Sequence, residues 1–288
     1  MMNMVLLENR IEERKMFYFY LVLSAALIPI LNNFFDILRE DYSWWLVPVL
    51  FVGFLVAFII IQCLVLVILI LTVNINKPVT RNYKFFRFLL KHTLPFVLFF
   101  ARVKINTSGL EKLPENSRAL FVCNHQHDFD CVGMLSVFPD SDIAFIGKKE
   151  IYQTMPFVAK AMHKLNSLPI DREHDREAAK TIIKAIKTIK DDIASIALFP
   201  EGYVSPSCEL LPIRNGSLKI ATTSEVPIVV CVLNNTRSIP KNMFFRKTEV
   251  EFRLLDIIYP EDYKELNTTQ IGDIIHEKME TALKEIKG

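Results

Sequence analysis

Two long apolar segments stand out in the first third of the chain. Residues 16–31 and 44–73 carry no charged side chain. The first is at the short end of the length that a bilayer-spanning helix needs, and the second is long enough to span with a tilt. This pattern predicts an N-terminal membrane segment, residues 1–75, with two transmembrane helices.

A different pattern begins near residue 106, where short apolar runs alternate with stretches of helical periodicity. The predicted strands are 119–123, 143–147, 167–170, 193–199, 227–233 and 250–258. The predicted helices are 131–138, 150–164, 173–190, 216–224 and 270–287. Strands that alternate with helices are typical of an α/β domain, so we expect a mixed, largely parallel sheet flanked by helices over residues 106–288.

Residues 76–105 join these two parts and are basic and aromatic. Lys84, Arg87 and Lys91 are interleaved with phenylalanine and leucine over residues 83–102. Such an amphipathic stretch predicts an interfacial helix in the lipid headgroup layer. Packing on the α/β domain, or a third partial span broken at Pro95, are the alternatives.

The distribution of charge around the two spans predicts their orientation. Basic residues precede the first span and follow the second, whereas the loop between them contains Arg39 and three acidic residues. The positive-inside rule therefore predicts a multi-pass protein of the cell membrane with its α/β domain on the cytoplasmic face. A cleaved signal peptide is the alternative for the first span, and the glutamates before it disfavour that interpretation.

Composition excludes several other classes of function. The formal net charge of +2 gives no support for a nucleic-acid partner. The five cysteines show no CxxC spacing, and most of them lie in or beside apolar runs. We expect reduced cysteines that pack in the interior, and neither a disulfide framework nor a zinc site.

The strongest candidate chemistry lies at residues 124–130, NHQHDFD, between a predicted strand and a predicted helix. A tight loop can bring the carboxylate of Asp130 to one ring nitrogen of His125. The other ring nitrogen then faces outward as a general base. Because no serine or cysteine clearly completes a nucleophile triad, we expect the substrate's own hydroxyl to be the nucleophile.

Further polar residues follow other predicted strands. Lys148 and Arg172 each come just after a strand, and Glu201 and Gly202 close a third. The carboxyl ends of strands form the ligand site in open α/β sheets. A site with a His–Asp pair and two basic groups suits a substrate that carries a phosphate and a hydroxyl.

Four blocks occur in a characteristic order along residues 105–235. They are HxxxxD over 125–130, IDR over 170–172, FPEG over 199–202 and VPI over 226–228. Behind a hydrophobic N-terminus, this order resembles the glycerolipid acyltransferase family, and in particular its 1-acylglycerol-3-phosphate acyltransferases.

The resemblance implies transfer of an acyl group from a thioester donor, acyl-CoA or acyl carrier protein, to lysophosphatidate in a membrane, with no cofactor or metal. It makes His125 the base and Asp130 its orienting acid. Residues 226–228 would form a strand lining the site. The residues implied in substrate binding are Asn124, Lys148 and Arg172 around the anionic headgroup, with Glu201 and Gly202 shaping the acceptor site.

Two departures from the family pattern affect the predicted site. His127 stands where a small hydroxyl residue is common, and Tyr203-Val204 follows FPEG where the family usually has Thr-Arg. The second departure removes an arginine from the expected phosphate site. We expect Arg214 to replace it.

Other interpretations remain. The same base would serve glycerol-3-phosphate or another lysophospholipid as acceptor. The pair His125 and His127 invites a metallohydrolase interpretation, but the following residues do not fit the HxHxDH pattern. A non-enzymatic membrane scaffold would be expected to lose His125 or Asp130, and both are present.

Overall fold

The computed structural model describes residues 2–35, 45–78, 81–114 and 117–287, and within these ranges it describes side chains over 15–286. The strands are β1 Val103–Ser108, β2 Leu120–Cys123, β3 Ile143–Lys148, β4 Leu168–Ile170, β5 Ser195–Leu198, β6 Ile228–Asn234 and β7 Thr248–Ile258. The α-helices are α1 Met2–Phe35, α2 Leu46–Leu71, α3 Lys84–Phe100, α4 Phe129–Val137, α5 Lys149–Thr154, α6 Pro156–Lys164, α7 Asp175–Lys190, α8 Lys219–Ser224, α9 Ile239–Asn242, α10 Pro260–Tyr263 and α11 Thr268–Lys287.

The strands form one sheet in the order β1-β7-β6-β2-β5-β3-β4. All neighbouring pairs are parallel except β6 and β7, which are antiparallel. The parallel strands are joined through helices, whereas the short segment after β6 lets the chain reverse direction. The expected mixed, largely parallel α/β fold is thus confirmed.

Both faces of the sheet are covered. Leu120 and Val122 of β2 face a cluster formed with α7, α8 and α11, and Phe121 and Cys123 face the side of α4. Alternate residues of one strand therefore enter different cores, which explains why its sequence is apolar without interruption.

The six predicted strands are confirmed, with ends that differ by a few residues. One strand was not predicted: β1 pairs with β7 and runs across the boundary expected between residues 105 and 106. The single helix predicted over 150–164 is wrong. It is two helices, because Pro156 lacks the N–H that a continuous helix needs and begins α6 instead. The division into three domains stays a prediction.

Two helices near the N-terminus are long and apolar enough to cross a membrane, Lys15–Phe35 and Leu46–Leu71. In each, 17% of the most apolar 18-residue window is buried inside the protein. These exposed apolar surfaces indicate membrane association. The acidic loop and Trp44 lie outside the described residues, and the side of the membrane stays a prediction.

A polar contact joins the three N-terminal helices. The hydroxyl of Tyr20 donates to Oε1 of Gln62 at 2.6 Å, and Nε2 of Gln62 donates to Oγ1 of Thr93 at 2.9 Å. These three side chains lie on α1, α2 and α3 and are buried. Directional bonds in apolar surroundings fix the register of the helices, which apolar contacts alone leave free.

Helix α3 is a single helix through Pro95 and packs one face on the α/β domain. The buried guanidinium of Arg87 donates to the carbonyl of Ile143 at 2.8 Å, to that of Leu165 at 2.8 Å and to Oδ1 of Asn166 at 3.2 Å. The opposite face of α3 exposes phenylalanines. The expected position of this helix in the headgroup layer stays a prediction.

The role of Arg87 can be tested with Arg87→Ala. The change leaves buried carbonyls without a donor, so we expect the protein to lose roughly 3 kcal/mol of stability. Thermal unfolding of the purified protein in detergent measures this loss. The matched control is Arg246→Ala, because Arg246 is exposed. Equal melting temperatures for the two variants would contradict the assignment.

Candidate active site

The loop that carries the motif is attached to the neighbouring strand by Asn124. Its Nδ2 donates to the carbonyl of Leu233 at 2.9 Å, and its Oδ1 accepts from the N–H of Leu233 at 2.8 Å. The side chain thus extends the β2–β6 ladder by one rung and is buried. The structure places Asn124 as a support of the loop, just before His125.

His125 and Asp130 meet at this edge of the sheet. Nδ1 of His125 lies 2.8 Å from Oδ2 of Asp130. Because a carboxylate accepts and does not donate, Nδ1 carries the proton and Nε2 keeps its lone pair. His125 is 8% exposed and Asp130 is fully buried. This is the arrangement of a general base oriented by an acid.

The Asp130 carboxylate has three further donors. Oδ2 accepts from the backbone N–H groups of Gln126 at 2.7 Å and His127 at 2.9 Å. Oδ1 accepts from the hydroxyl of Thr236. Together with His125, these donors compensate a negative charge that is removed from water. Sequence analysis missed Thr236, because it lies far away in sequence after β6.

Two other contacts fix the imidazole. Its ring stacks on Phe199, with centroids 4.1 Å apart and planes inclined by 10°. Oε1 of Glu201 accepts from the backbone N–H of His125 at 2.7 Å, and Oε2 accepts from the backbone N–H of Leu211 at 2.9 Å. Burial raises the pKa of the Glu201 carboxyl, while these amides act in the opposite direction. Glu201 therefore shapes the site through the backbone.

A group of cations surrounds Tyr203. Its ring centroid lies 5.5 Å from Nζ of Lys148, 5.4 Å from Cζ of Arg172 and 5.0 Å from Cζ of Arg214. The structure thus brings together the three basic residues singled out in the sequence. We call Lys148, Arg172 and Arg214 the cation cluster. The electron-rich face of the ring attracts each cation and partly offsets their mutual repulsion.

Arg172 has a hydrogen-bond donor that is unpaired within the described part of the chain. Its Nη1 is buried and has no hydrogen-bond partner among the described residues. Burial, followed by the positive charge of Arg214, lowers the pKa of this guanidinium. A buried donor without an acceptor is costly, so an anion that accepts from it would bind favourably.

Gly202 allows the cation cluster to form. Its backbone has a φ of 77°, in the region that favours glycine. A Cβ atom at this position would lie 2.9 Å from Nε of Arg214. Gly202 is therefore needed both for the turn and for the close approach of the arginine.

A cavity of about 510 Å³ begins at the cation cluster. Arg172 and Arg214 line it together with Phe199, the residue on which His125 stacks. Its remaining wall includes Ile182, Ile183 and Ile186 of α7. A cationic mouth and an apolar wall are suited to an amphiphilic anion.

Other sequence expectations have different outcomes. Residues 226–228 do not line the site, because Ile228 pairs with Leu120 at the start of β2 and the strand runs from there towards the site. His127 accepts from the N–H of Phe129 through Nδ1, at 3.3 Å. Cys123 is packed in the core, and burial raises the pKa of its thiol well above the ordinary range.

Comparison with known proteins supports the family expected from the four blocks. Residues 104–234 match the family model described as Acyltransferase. The matched segment covers slightly less than half of the chain, and it is similar to the acyltransferase family. The structure resembles the crystal structure of PlsC, the 1-acyl-sn-glycerophosphate (LPA) acyltransferase from Thermotoga maritima, with a TM-score of 0.57 and 22% identity. That likeness covers 80% of this chain and 98% of the other, and it shows the fold.

Sequence relatives in this family are distant. A Caenorhabditis elegans protein named putative 1-acyl-sn-glycerol-3-phosphate acyltransferase acl-2 is 26% identical over 62% of this chain and 64% of its own length. The 1-acyl-sn-glycerol-3-phosphate acyltransferase of Haemophilus influenzae is 27% identical over 59% of this chain and 70% of its own length. The chain thus spans slightly less than two thirds of the nematode relative.

Thr236 is expected to position the pair formed by His125 and Asp130. Thr236→Val keeps the shape but removes a hydrogen bond to a buried charge, so kcat for acyl transfer should fall about 10-fold with little change in the acceptor KM. Thr236→Ser should restore most of the rate. Steady-state kinetics with Thr188→Val as the control measures this, because the Thr188 hydroxyl bonds within an exposed turn of α7. An unchanged kcat for Thr236→Val would contradict the role.

Proposed function

We propose that the protein is a membrane-bound acyltransferase that transfers a fatty acyl group to the sn-2 hydroxyl of 1-acylglycerol-3-phosphate. The donor is a thioester, acyl-CoA or acyl carrier protein, and the product is phosphatidic acid. The observation that carries the proposal is a buried His–Asp pair linked through Phe199 to a cation cluster with an unsatisfied donor. The names of distant relatives agree with it.

The chemistry follows from the protonation state of His125. Nε2 accepts the proton of the acceptor hydroxyl while the oxygen attacks the thioester carbonyl. The C–O bond forms and the C–S bond breaks, and the thiolate takes the proton from the imidazolium. The negative charge of Asp130 stabilises that imidazolium, as it does in other His–carboxylate pairs. No protein nucleophile is needed, which agrees with the packed position of Cys123.

Substrate binding is assigned to the opposite end of the site. Lys148, Arg172 and Arg214 bind the phosphate, since guanidinium groups suit phosphate oxygens and a lysine adds a point charge. In this proposal Arg214 takes the place of the arginine that Tyr203-Val204 lacks. Asn124, Glu201 and Gly202 contribute by holding the loops that carry these groups.

The choice of acceptor within this chemistry rests on the apolar part of the cavity. Glycerol-3-phosphate has no acyl chain to place beside Ile182 and Ile186, whereas a lysophospholipid has one. This favours an acylated acceptor, and the cation cluster favours one with a terminal phosphate. We place the active site on the cytoplasmic face, following the charge bias around the two spans.

The base is tested by His125→Ala. Without Nε2 nothing accepts the hydroxyl proton, so transfer should fall by at least a factor of about 1,000, while membrane insertion is unchanged. His127→Ala is the matched control and should keep most of the activity, because its ring bonds within the loop. Mass spectrometry of the phosphatidate product measures both. Retained activity in His125→Ala would refute the mechanism.

The phosphate site is tested by Arg214→Ala. Loss of a charge-assisted contact should raise the KM for lysophosphatidate about 10-fold or more and leave kcat nearly unchanged. Monoacylglycerol, which has the same hydroxyl and no phosphate, provides the control acceptor, and its slow transfer should not change. An unchanged KM for lysophosphatidate would exclude Arg214 from phosphate binding.

A further inference from the structure

Four phenylalanines form an exposed patch where the end of α3 meets the α/β domain. Phe99 and Phe100 end α3 and are 74% and 61% exposed, and Phe244 and Phe245 follow α9 and are 64% and 86% exposed. Three of them, Phe99, Phe100 and Phe244, line one open cleft of about 590 Å³, although the two segments are far apart in sequence. We call these four residues the aromatic patch. Large apolar patches of this kind mark interaction surfaces.

The backbone at Phe244 supports an interaction role. Its φ is 71°, in the left-handed region that bulky side chains rarely adopt. Helix α9 has already ended at Asn242, and the turn that follows leaves the two adjacent rings outside the core. A local conformation that is unfavourable in the isolated protein, with two exposed rings as its result, is typical of a functional segment.

Basic residues border the patch. Arg102, Lys104, Arg246 and Lys247 are exposed around it. The exposed carboxylate of Glu249 pairs with Lys247. The four cations outnumber this one carboxylate, so the net charge of the border is positive. Aromatic side chains bordered by arginine and lysine are the composition of surfaces that enter the headgroup layer of anionic bilayers.

The patch lies at the active-site edge of the sheet. The carboxyl end of β6 adjoins the motif loop, since Asn235 donates its N–H to Oε1 of Gln126. Because β7 is antiparallel to β6, the start of β7 lies at that edge, directly after the Phe244–Phe245 turn. The start of β1, directly after Phe100, pairs with it through Val103 and Thr248.

The apolar helix α2 projects beyond the same edge. Gln62 of α2 bonds Thr93, and Ile70 packs with Phe86, so α2 and α3 run antiparallel. About 24 Å of helix separates Gln62 from Leu46, whereas about 10 Å separates Thr93 from Phe100. The start of α2 therefore extends well past the end of α3, on the side where the aromatic patch lies.

From these positions we infer that the aromatic patch is a second membrane contact, which inserts into the headgroup layer of a bilayer that contains anionic phospholipids. The border of cations contacts lipid phosphates, and the rings enter the boundary of the acyl region. The contact holds the His125 edge against the membrane, where an acceptor hydroxyl lies. This last step rests on the proposed function, whereas insertion itself does not.

Insertion is tested without any enzyme assay. The full chain with Phe245→Trp is reconstituted into bilayers whose acyl chains carry bromine at positions 6 and 7. Most of the fluorescence that the added tryptophan contributes should be quenched by the bromine. Tyr259→Trp is the control, because Tyr259 is exposed just beyond the opposite end of β7. Trp44 and Trp45 contribute equally to both variants. Equal quenching of the added emission in the two variants would overturn the inference.

The consequence for catalysis is tested with Phe244→Ser/Phe245→Ser. Transfer to long-chain lysophosphatidate in vesicles with phosphatidylglycerol should fall about 10-fold, while transfer to a monomeric six-carbon acceptor stays unchanged. Lys104→Gln/Arg246→Gln should reduce the stimulation by phosphatidylglycerol about three-fold. Equal losses of transfer to the two acceptors in Phe244→Ser/Phe245→Ser would overturn the inference.

If the unsubstituted protein transferred to no acceptor, the proposed function would be refuted, and the quenching experiment would still decide whether the aromatic patch inserts.

Discussion

The buried carboxylate of Asp130 is the group on which the site depends. It is fully buried, and His125, two backbone amides and Thr236 supply its hydrogen bonds. These donors come from the motif loop and from the segment after β6, so one charge at the start of α4 ties these two segments together. The same charge fixes the tautomer of His125. A change that removes any donor should therefore disturb both the local fold and the base.

The two ends of the site are electrostatically opposite. At one end a negative charge is fully compensated, whereas at the other Lys148, Arg172 and Arg214 meet around a neutral ring. A cluster of like charges is unfavourable, although the nearby carboxylate of Glu150 partly offsets the charge of Arg172. In the proposed function, the substrate phosphate lies among these cations. The ring of Tyr203 lies between these cations and attracts each of them. In the proposed function, Arg214 therefore takes the role of the arginine that the family pattern has after FPEG.

Sequence analysis could predict what depends on neighbouring residues. Apolar runs predicted six strands, and the short spacing from His125 to Asp130 predicted their contact. It could not predict Thr236, because its contact depends on β6 lying beside β2. It also missed β1, whose residues alternate in polarity at a sheet edge and resemble a linker, and it overlooked the effect of Pro156 on a helical pattern. The prediction that residues 226–228 line the site was wrong, because a sequence pattern indicates that a strand exists more readily than it indicates which end of the strand faces the site.

The topology explains why chemistry and membrane can meet at one edge. Parallel strands collect their carboxyl ends at one edge, and the motif loop lies there. An antiparallel β7 brings its own beginning to that edge, and β1, parallel to β7, brings the end of α3 beside it. A lipid hydroxyl lies at the level of the headgroups and cannot travel far into a protein without exposing its acyl chain to water. In the proposed function, the base that acts on it must therefore lie at the surface that touches the bilayer. The antiparallel strand β7 brings the aromatic patch to the edge that holds His125.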